Sequence, residues 1–343
     1  MTPLEASSMI PKISVILPTY NVEAYISETL RSLLNQPIPL FEVIIVNDGS
    51  TDGTLAVIEE QFGHRPELII VSQENQGVGE ARRRGLATAN GDYVFFCDPD
   101  DVIGAGLFTE FAARFEADST IELFYFSKRS FTESAEGRVI NRRTTAATRE
   151  GWFESGGALL QDLVLSEKYH AAMWQYIFRR AVCDRFTVAL EGRAHEDHAF
   201  SMCIYLCSKR AYATSADYYF YRERTGSLTK SQRNADYVMA SYAAYLNTLA
   251  ELKKHVRSLD QGSAVARKFM ERNISALINK CVKQHVTLPC GLTKQTWKDA
   301  RDCGIGLHLS LPILLPRVLH LMRLTRAIFK RQLQIHSSNM QND

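Results

Sequence analysis

The sequence predicts an α/β fold with a buried, mainly parallel sheet and flanking helices, followed by a helical C-terminal region. Three observations predict it. Between Ile13 and Lys128 short apolar runs alternate with amphipathic stretches, the pattern of β-α-β units whose strands are covered on both faces. The residues just after successive runs are polar and turn-prone, as at the carboxyl edge of an open α/β sheet. From Ser231 onward the apolar spacing is helical almost throughout.

Taken in order, the expected strands are Ile13 to Leu17, Glu42 to Val46, Leu68 to Val71, Tyr93 to Cys97 and Ile121 to Phe126. Helices are expected over Glu23 to Asn35, Thr54 to Phe62, Gly77 to Ala89 and Ala105 to Phe115, where apolar positions recur every three or four residues. Asp52 or Ser50 is placed to cap the second helix. Glu133 to Arg149, rich in Ser, Thr, Gly and Arg, reads as a hairpin or mobile loop. A helix over Ser155 to Ser166 follows, then Met173 to Arg180, a polar turn at Glu191 to His195, and a helix from Glu196 to Cys207. Strands close the region at Arg210 to Thr214 and Tyr218 to Arg222.

With 343 residues, the chain has room for one large domain and an appendage. The expected division is a domain over residues 11–228, with halves at 11–130 and 150–228, and a helical region over 231–335. Hydrophobic residues at 45% and charged residues at 23% exclude a disordered chain and require a packed core. Forty basic against 38 acidic residues give no basis for nucleic-acid binding. The seven cysteines are scattered and lack the paired spacing of a zinc site, as expected of reduced thiols in the cytoplasm. Met1 to Pro11 has neither the basic start nor the apolar core of a signal peptide, and no run of eighteen apolar residues supports a membrane span.

The turns after the strands carry the candidate chemistry. Asp98, Asp100 and Asp101 follow directly on the run Tyr93-Val94-Phe95-Phe96-Cys97. Concentrated carboxylates suit Mg2+ or Mn2+, whose remaining oxygen ligands come partly from substrate phosphates. A bare aspartate pair reads first as an acidic turn capping the next helix; the strand context and the neighbouring polar loops favour a metal-diphosphate site. The turn Asn47-Asp48-Gly49-Ser50 is also an ordinary strand-to-helix connection by composition. Asp48, however, stands where a carboxylate can accept a hydrogen bond from a base imino group.

Four ordered stretches resemble family 2 of the inverting glycosyltransferases: Ser14 to Asn21, Val46 to Thr54, Glu74 to Val78 with Ala81-Arg82, and Asp98 to Asp101. The resemblance implies a GT-A fold in which Pro18, Thr19, Tyr20 and Asp48 line a nucleotide and Asn75 and Arg82 shape its uridine side. Asp98 and Asp100 match the family's metal and ribose motif. Two departures stand out: Pro99 replaces the usual Ser or Gly, and Arg83 replaces the Asn that usually follows the arginine. More weakly, Met173 to Arg180 is similar to an acceptor-side motif that places Trp174 near the acceptor. Glu196-Asp197 is similar to the family's acidic pair, which makes Glu196 an acceptor-side residue and Asp197 the general base. Without that match, the pair reads as an acidic helix start stabilised by the macrodipole. Tyr218 to Ser227 resembles the segment that closes over the donor, where Arg222 and Arg224 would neutralise a leaving diphosphate; by pattern alone they read equally as surface residues at a strand end.

The implied reaction moves a sugar from a nucleotide diphosphate sugar, UDP by preference, to a hydroxyl of a glycan or lipid-linked acceptor, with inversion and a bound Mn2+ or Mg2+. The setting implied is bacterial surface polysaccharide assembly. A degenerate fold that binds nucleotide or glycan without turnover is the alternative; a nucleotidyltransferase is disfavoured because Pro18-Thr19-Tyr20-Asn21 is no glycine-rich phosphate loop. His195 and His198 invite a zinc site, but no third ligand follows at helical spacing. Pro316 to Arg331 has an apolar stripe and a basic face, the signature of a helix lying in an anionic membrane interface or packing on the protein. Peripheral membrane contact from the cytoplasm is the expectation.

Overall fold

The computed structural model describes residues 10–134, 137–145, 149–188, 190, 195–224, 235–284 and 290–303. The chain divides into two compact units, one formed by Met1–Ser231 with Leu246–Gly262 and the other by Gln232–Tyr245 with Ser263–Asp343.

In the first unit β1 (Ile13–Thr19), β2 (Glu42–Asp48), β3 (Leu68–Gln73) and β4 (Tyr93–Phe96) alternate with α1 (Ile26–Leu34), α2 (Thr54–Phe62) and α3 (Val78–Thr88). Every residue of β1, β2 and β4 is buried, which is why their sequences run continuously apolar instead of alternating. A short β5 (Val102–Ile103) leads into α4 (Leu107–Ala117), the hairpin β6 (Leu123–Ser134) and β7 (Gly137–Thr145), β8 (Gly151–Phe153) and α5 (Gly156–Leu165). Next come β9 (Tyr176–Arg179), α6 (Asp197–Cys207) and β10 (Ala211–Arg222).

Among the described residues the sheet order is β3-β2-β1-β4-β9-β6-β10-β5, with β7 beside β6 and β8 beside β10. The four strands from β3 to β4 are mutually parallel. From β4 onward the sheet is mixed: β9 runs antiparallel to both β4 and β6, while β6 and β10 are parallel. The carboxyl ends of β1, β2 and β4 therefore face the same edge as the polar turns.

Three local features differ from the sequence expectation. Met173 to Arg180 resolves into a 3-10 turn, Met173–Gln175, and the strand β9. The two expected strands at Arg210 to Thr214 and Tyr218 to Arg222 are one strand, β10, with register shifts between Ala213 and Tyr219; the polar Ser215-Ala216-Asp217 marks an irregularity, not an end. The cap of α2 is Gly53. Asp52 instead accepts the Thr54 N–H at 3.0 Å, and Ser50 Oγ accepts the N–H of Asn21.

A Cβ on Gly85 would lie 2.3 Å from Ile16 Cγ2, so glycine lets α3 sit close on β1. Gly79, Ala81 and Arg82 share the buried side of α3, which carries a guanidinium inward toward the sheet.

The described residues of the second unit are helical, drawing on α7 (Ala235–His255), α8 (Gly262–Gln284) and α9 (Cys290–Asp302). Within it Tyr245 stacks on Phe269 with centroids 6.1 Å apart, and the hydroxyls of Tyr242 and Thr296 are hydrogen-bonded. No helix of the described residues is long and apolar enough to cross a membrane. The expected helix at Pro316 to Arg331 lies outside the described residues.

Candidate active site

The aspartate run after β4 splits into three environments. Asp101 is fully buried, with one carboxylate oxygen accepting from the Tyr219 hydroxyl at 2.6 Å and the other from the Arg222 N–H at 2.7 Å. Burial, followed by the charges of Asp100 and Asp98, pushes its carboxyl well above the usual range. Asp98 and Asp100 stay partly exposed and each faces a guanidinium: Arg82 reaches Asp98 at 2.8 Å and Arg224 reaches Asp100 at 2.6 Å. The backbone is pinned from α1, where the buried Thr29 hydroxyl bonds to the carbonyls of Pro99 and Asp101 at 3.0 and 2.7 Å.

The second acidic pair stands at the start of α6. His195 has φ of 63°, a left-handed backbone that non-glycine residues seldom adopt, and the helix begins two residues later at Asp197. Arg82, with 8% of its side chain exposed, is paired to Glu196 as well as to Asp98. It thus joins two segments of which one lies 114 residues away in sequence. Burial raises the Glu196 carboxyl, opposed by the Arg82 charge. Burial also pushes Asp197 up to about 6, again against Arg82, although 27% of its side chain reaches solvent. The His198 ring stands 3.8 Å from the Asp197 carboxylate.

On the other side of Asp98, Asp48 is 3% exposed and holds the loop after β3: its carboxylate accepts from Gln73 Nε2, Gln76 N–H and Gly77 N–H, each at 2.8 Å. Pro18 and Thr19 are buried in the end of β1, while Tyr20, 47% exposed, projects beyond it. Asn75 is half-buried in the loop that Asp48 organises. Gly49, with φ of 72°, lets that loop approach: a Cβ there would meet the Asn75 N at 2.9 Å.

The structure therefore brings Asp98, Asp100, Arg82, Glu196 and Asp197 to one place, with Asp48, Asn75 and Tyr20 at the ends of β1 to β3. Two of the arginines singled out in the sequence are held by carboxylates. The Arg82 guanidinium lies between Asp98 and Glu196. Arg222 is 3% exposed and its head is held by Glu28 at 2.5 Å, by Glu133 and by the Asp100 carbonyl, whereas Arg224 pairs with the Asp100 carboxylate itself. Arg83 pairs with Glu80 one turn earlier on α3.

Sequence reasoning missed Tyr219 and Thr29. The Tyr219 hydroxyl also accepts the Asp98 N–H at 3.2 Å, so one ring ties β10 to both ends of the aspartate run. The available signal was generic: a tyrosine on a core face needs a polar partner, as does a threonine on the apolar side of a helix. Two partly exposed carboxylates, Asp98 and Asp100, fit the donor set of Mg2+ or Mn2+, which keeps few protein oxygens and completes its shell with phosphates and water.

An α/β sheet with this order, a strand-end aspartate motif and a second acidic pair beside it define the GT-A class of fold. Residues 14–185 match the model of glycosyl transferase family 2, and the chain belongs to that family. It is 30% identical to the uncharacterized glycosyltransferase EpsJ of Bacillus subtilis, over 65% of this chain and 64% of that protein. It is also 30% identical to the poly(ribitol-phosphate) beta-glucosyltransferase of Bacillus spizizenii, over 61% of this chain and 32% of that one. The match spans less than two thirds of either relative's length. Among solved structures, S. aureus TarS 1-349 in complex with UDP-GlcNAc superposes with a TM-score of 0.63 at 22% identity, covering 85% of this chain and 89% of that one. That likeness is one of fold.

Proposed function

We propose that this chain is a glycosyltransferase that moves a sugar from a UDP-sugar to a hydroxyl of a glycan or lipid-linked acceptor, with inversion, in bacterial surface polysaccharide assembly. The observation that carries the reading is the Arg82 bridge, which sets the strand-end carboxylate Asp98 beside the helix-start pair Glu196-Asp197. The family membership, the named activity of the poly(ribitol-phosphate) relative and the UDP-GlcNAc complex of a protein of like fold all support it.

In the reaction, the acceptor oxygen bonds to the anomeric carbon as the bond from that carbon to the diphosphate breaks. Asp197 takes the acceptor proton, a task suited to a carboxylate whose proton affinity is raised toward neutrality. Arg82 holds Glu196 and Asp98 in place and, by its charge, keeps Asp197 from rising further. Tyr20, Asp48 and Asn75 bound the nucleotide side; Trp174 and Glu196 bound the acceptor side. Arg224 stands ready to balance charge on the leaving diphosphate, and Arg222 anchors the strand end that carries it. A divalent cation held by Asp98 and Asp100 would supply further stabilisation of that charge.

Thermal shift with a panel of nucleoside diphosphates and their sugars, each with and without Mn2+, tests the donor reading. A Mn2+-dependent rise confined to uridine nucleotides is expected, about 2.7 kcal/mol of stabilisation at a hundredfold excess over Kd. No shift with any nucleotide would overturn the donor site and favour the glycan-binding alternative.

A further inference from the structure

Beside the aspartate motif, one face of the sheet carries an aromatic cluster with a cation on it. Trp174 stacks on Tyr219 with centroids 4.4 Å apart and planes at 17°, and on Tyr221 at 5.9 Å and 22°. The two tyrosines are two residues apart on β10 and so share a face. Lys128, on the parallel neighbour β6, is in register with Tyr219. Its Nζ stands 4.6 Å from the Trp174 centroid and 5.2 Å from that of Tyr221.

The other cations of this region each hold a carboxylate. Arg82 has Asp98 and Glu196, Arg129 has Asp217, Arg222 has Glu28 and Glu133, and Arg224 has Asp100. Lys128 has ring faces alone: among the described residues its ammonium makes neither an ion pair nor a hydrogen bond. The carboxylates that feel its charge are Asp101 and Glu223, and Asp101 already spends its oxygens on Tyr219 and the Arg222 N–H. Burial lowers the proton affinity of this half-buried amine, so an arriving anion would relieve an electrostatic deficit that the protein leaves in place.

The sheet order sets Lys128 apart from the candidate nucleotide loops. The candidate nucleotide loops follow β1, β2 and β3, on one side of β4; Lys128 on β6 and Trp174 just before β9 lie on the other. Arg224, at the Asp100 carboxylate, is the cation next to the candidate diphosphate.

Resting on the transferase reading above, we infer that Lys128 with Trp174 and Tyr221 forms an acceptor subsite for an anionic glycan. The partly exposed aromatic rings take the apolar part of a sugar or alditol unit, and the ammonium pairs with a neighbouring carboxylate or phosphate.

The test compares three acceptors of similar size with the UDP-sugar that the thermal-shift panel selects: a uronate-terminated disaccharide, an alditol-phosphate oligomer and a neutral disaccharide. The expected result is a kcat/KM for one of the anionic acceptors about 10- to 100-fold above that of the neutral one, weakening as salt is raised. The favoured anion distinguishes a carboxylate source from a phosphate source. K128M, which keeps most of the apolar stem, should bring the ratio close to parity, and K128R should retain the preference. Equal use of neutral and anionic acceptors, or a K128M protein that keeps the preference, would overturn the inference while leaving the transferase intact. So would loss of the Mn2+-dependent nucleotide shift in K128M, which would move the lysine to the donor. No product with any acceptor or donor would overturn the transferase reading, and this inference with it.

Discussion

The two halves of the sheet are built by different means. From β3 to β4 the strands are parallel, with β1, β2 and β4 fully buried, and the polar residues after β2 are held by nearby turns: Asp48 by the loop it organises, Asn47 by Ser50, Asp52 by Thr54. From β9 to β10 the sheet is mixed, and its candidate residues are held by partners far away in sequence. Glu196 depends on Arg82, 114 residues distant, and Tyr219 on Asp101, 118 residues distant. On the proposed reading, a local scaffold presents the donor, and a long-range one completes the site around it. Arg82 and Tyr219 are the joints between the two.

If those joints matter as the geometry implies, breaking them should disturb both halves together. The largest effect is expected from R82M, which strands two carboxylates in a largely buried site. Losing one partner of a buried ion network costs about 3 to 5 kcal/mol, so urea or thermal unfolding should show a loss of that order. Adding E196Q to R82M should recover a substantial part of it. If R82M were as stable as the parent, the bridge would be a surface-type pair and the two halves would be independently held.

A smaller effect is expected from Y219F, which removes a hydroxyl donating to a fully buried carboxylate and accepting from the Asp98 N–H. A loss of about 1 to 3 kcal/mol is expected, with a weaker Mn2+-dependent nucleotide shift because the aspartate loop is less firmly placed. A Y219F protein with full stability and an unchanged shift would limit the joint to Arg82 alone.

The same division explains what was legible in the sequence. Continuous apolar runs followed by polar turns gave the order of β1 to β4 and the location of Asp48 and Asp98, because those features are local. The interruption at Ser215-Ala216-Asp217 read as a gap between two strands, since a register shift within one strand leaves the same local pattern as a turn. Chain proximity cannot disclose that Arg82 points to Glu196, or that Asp101, adjacent to two partly exposed aspartates, is itself a fully buried acceptor for Tyr219 and Arg222. Resemblance to the family placed Arg82 near the nucleotide; its partners emerge only once α3 is laid on β1 through Gly85. Lys128 itself stood in no motif, and its meeting with Trp174 and Tyr221 was illegible because the cluster is assembled from three separate segments.

The general-base role of Asp197 is tested most directly by the pH dependence of kcat/KM for glycosyl transfer in the wild type, alongside the activity of D197N. Because burial raises its carboxyl to about 6 and the base must be ionised to accept a proton, transfer should rise with pH through that value and level off above it. D197N should lose about 10²- to 10⁴-fold in transfer while keeping the Mn2+-dependent nucleotide shift. Near wild-type transfer by D197N, with the same acidic limb, would contradict the assignment and require another base.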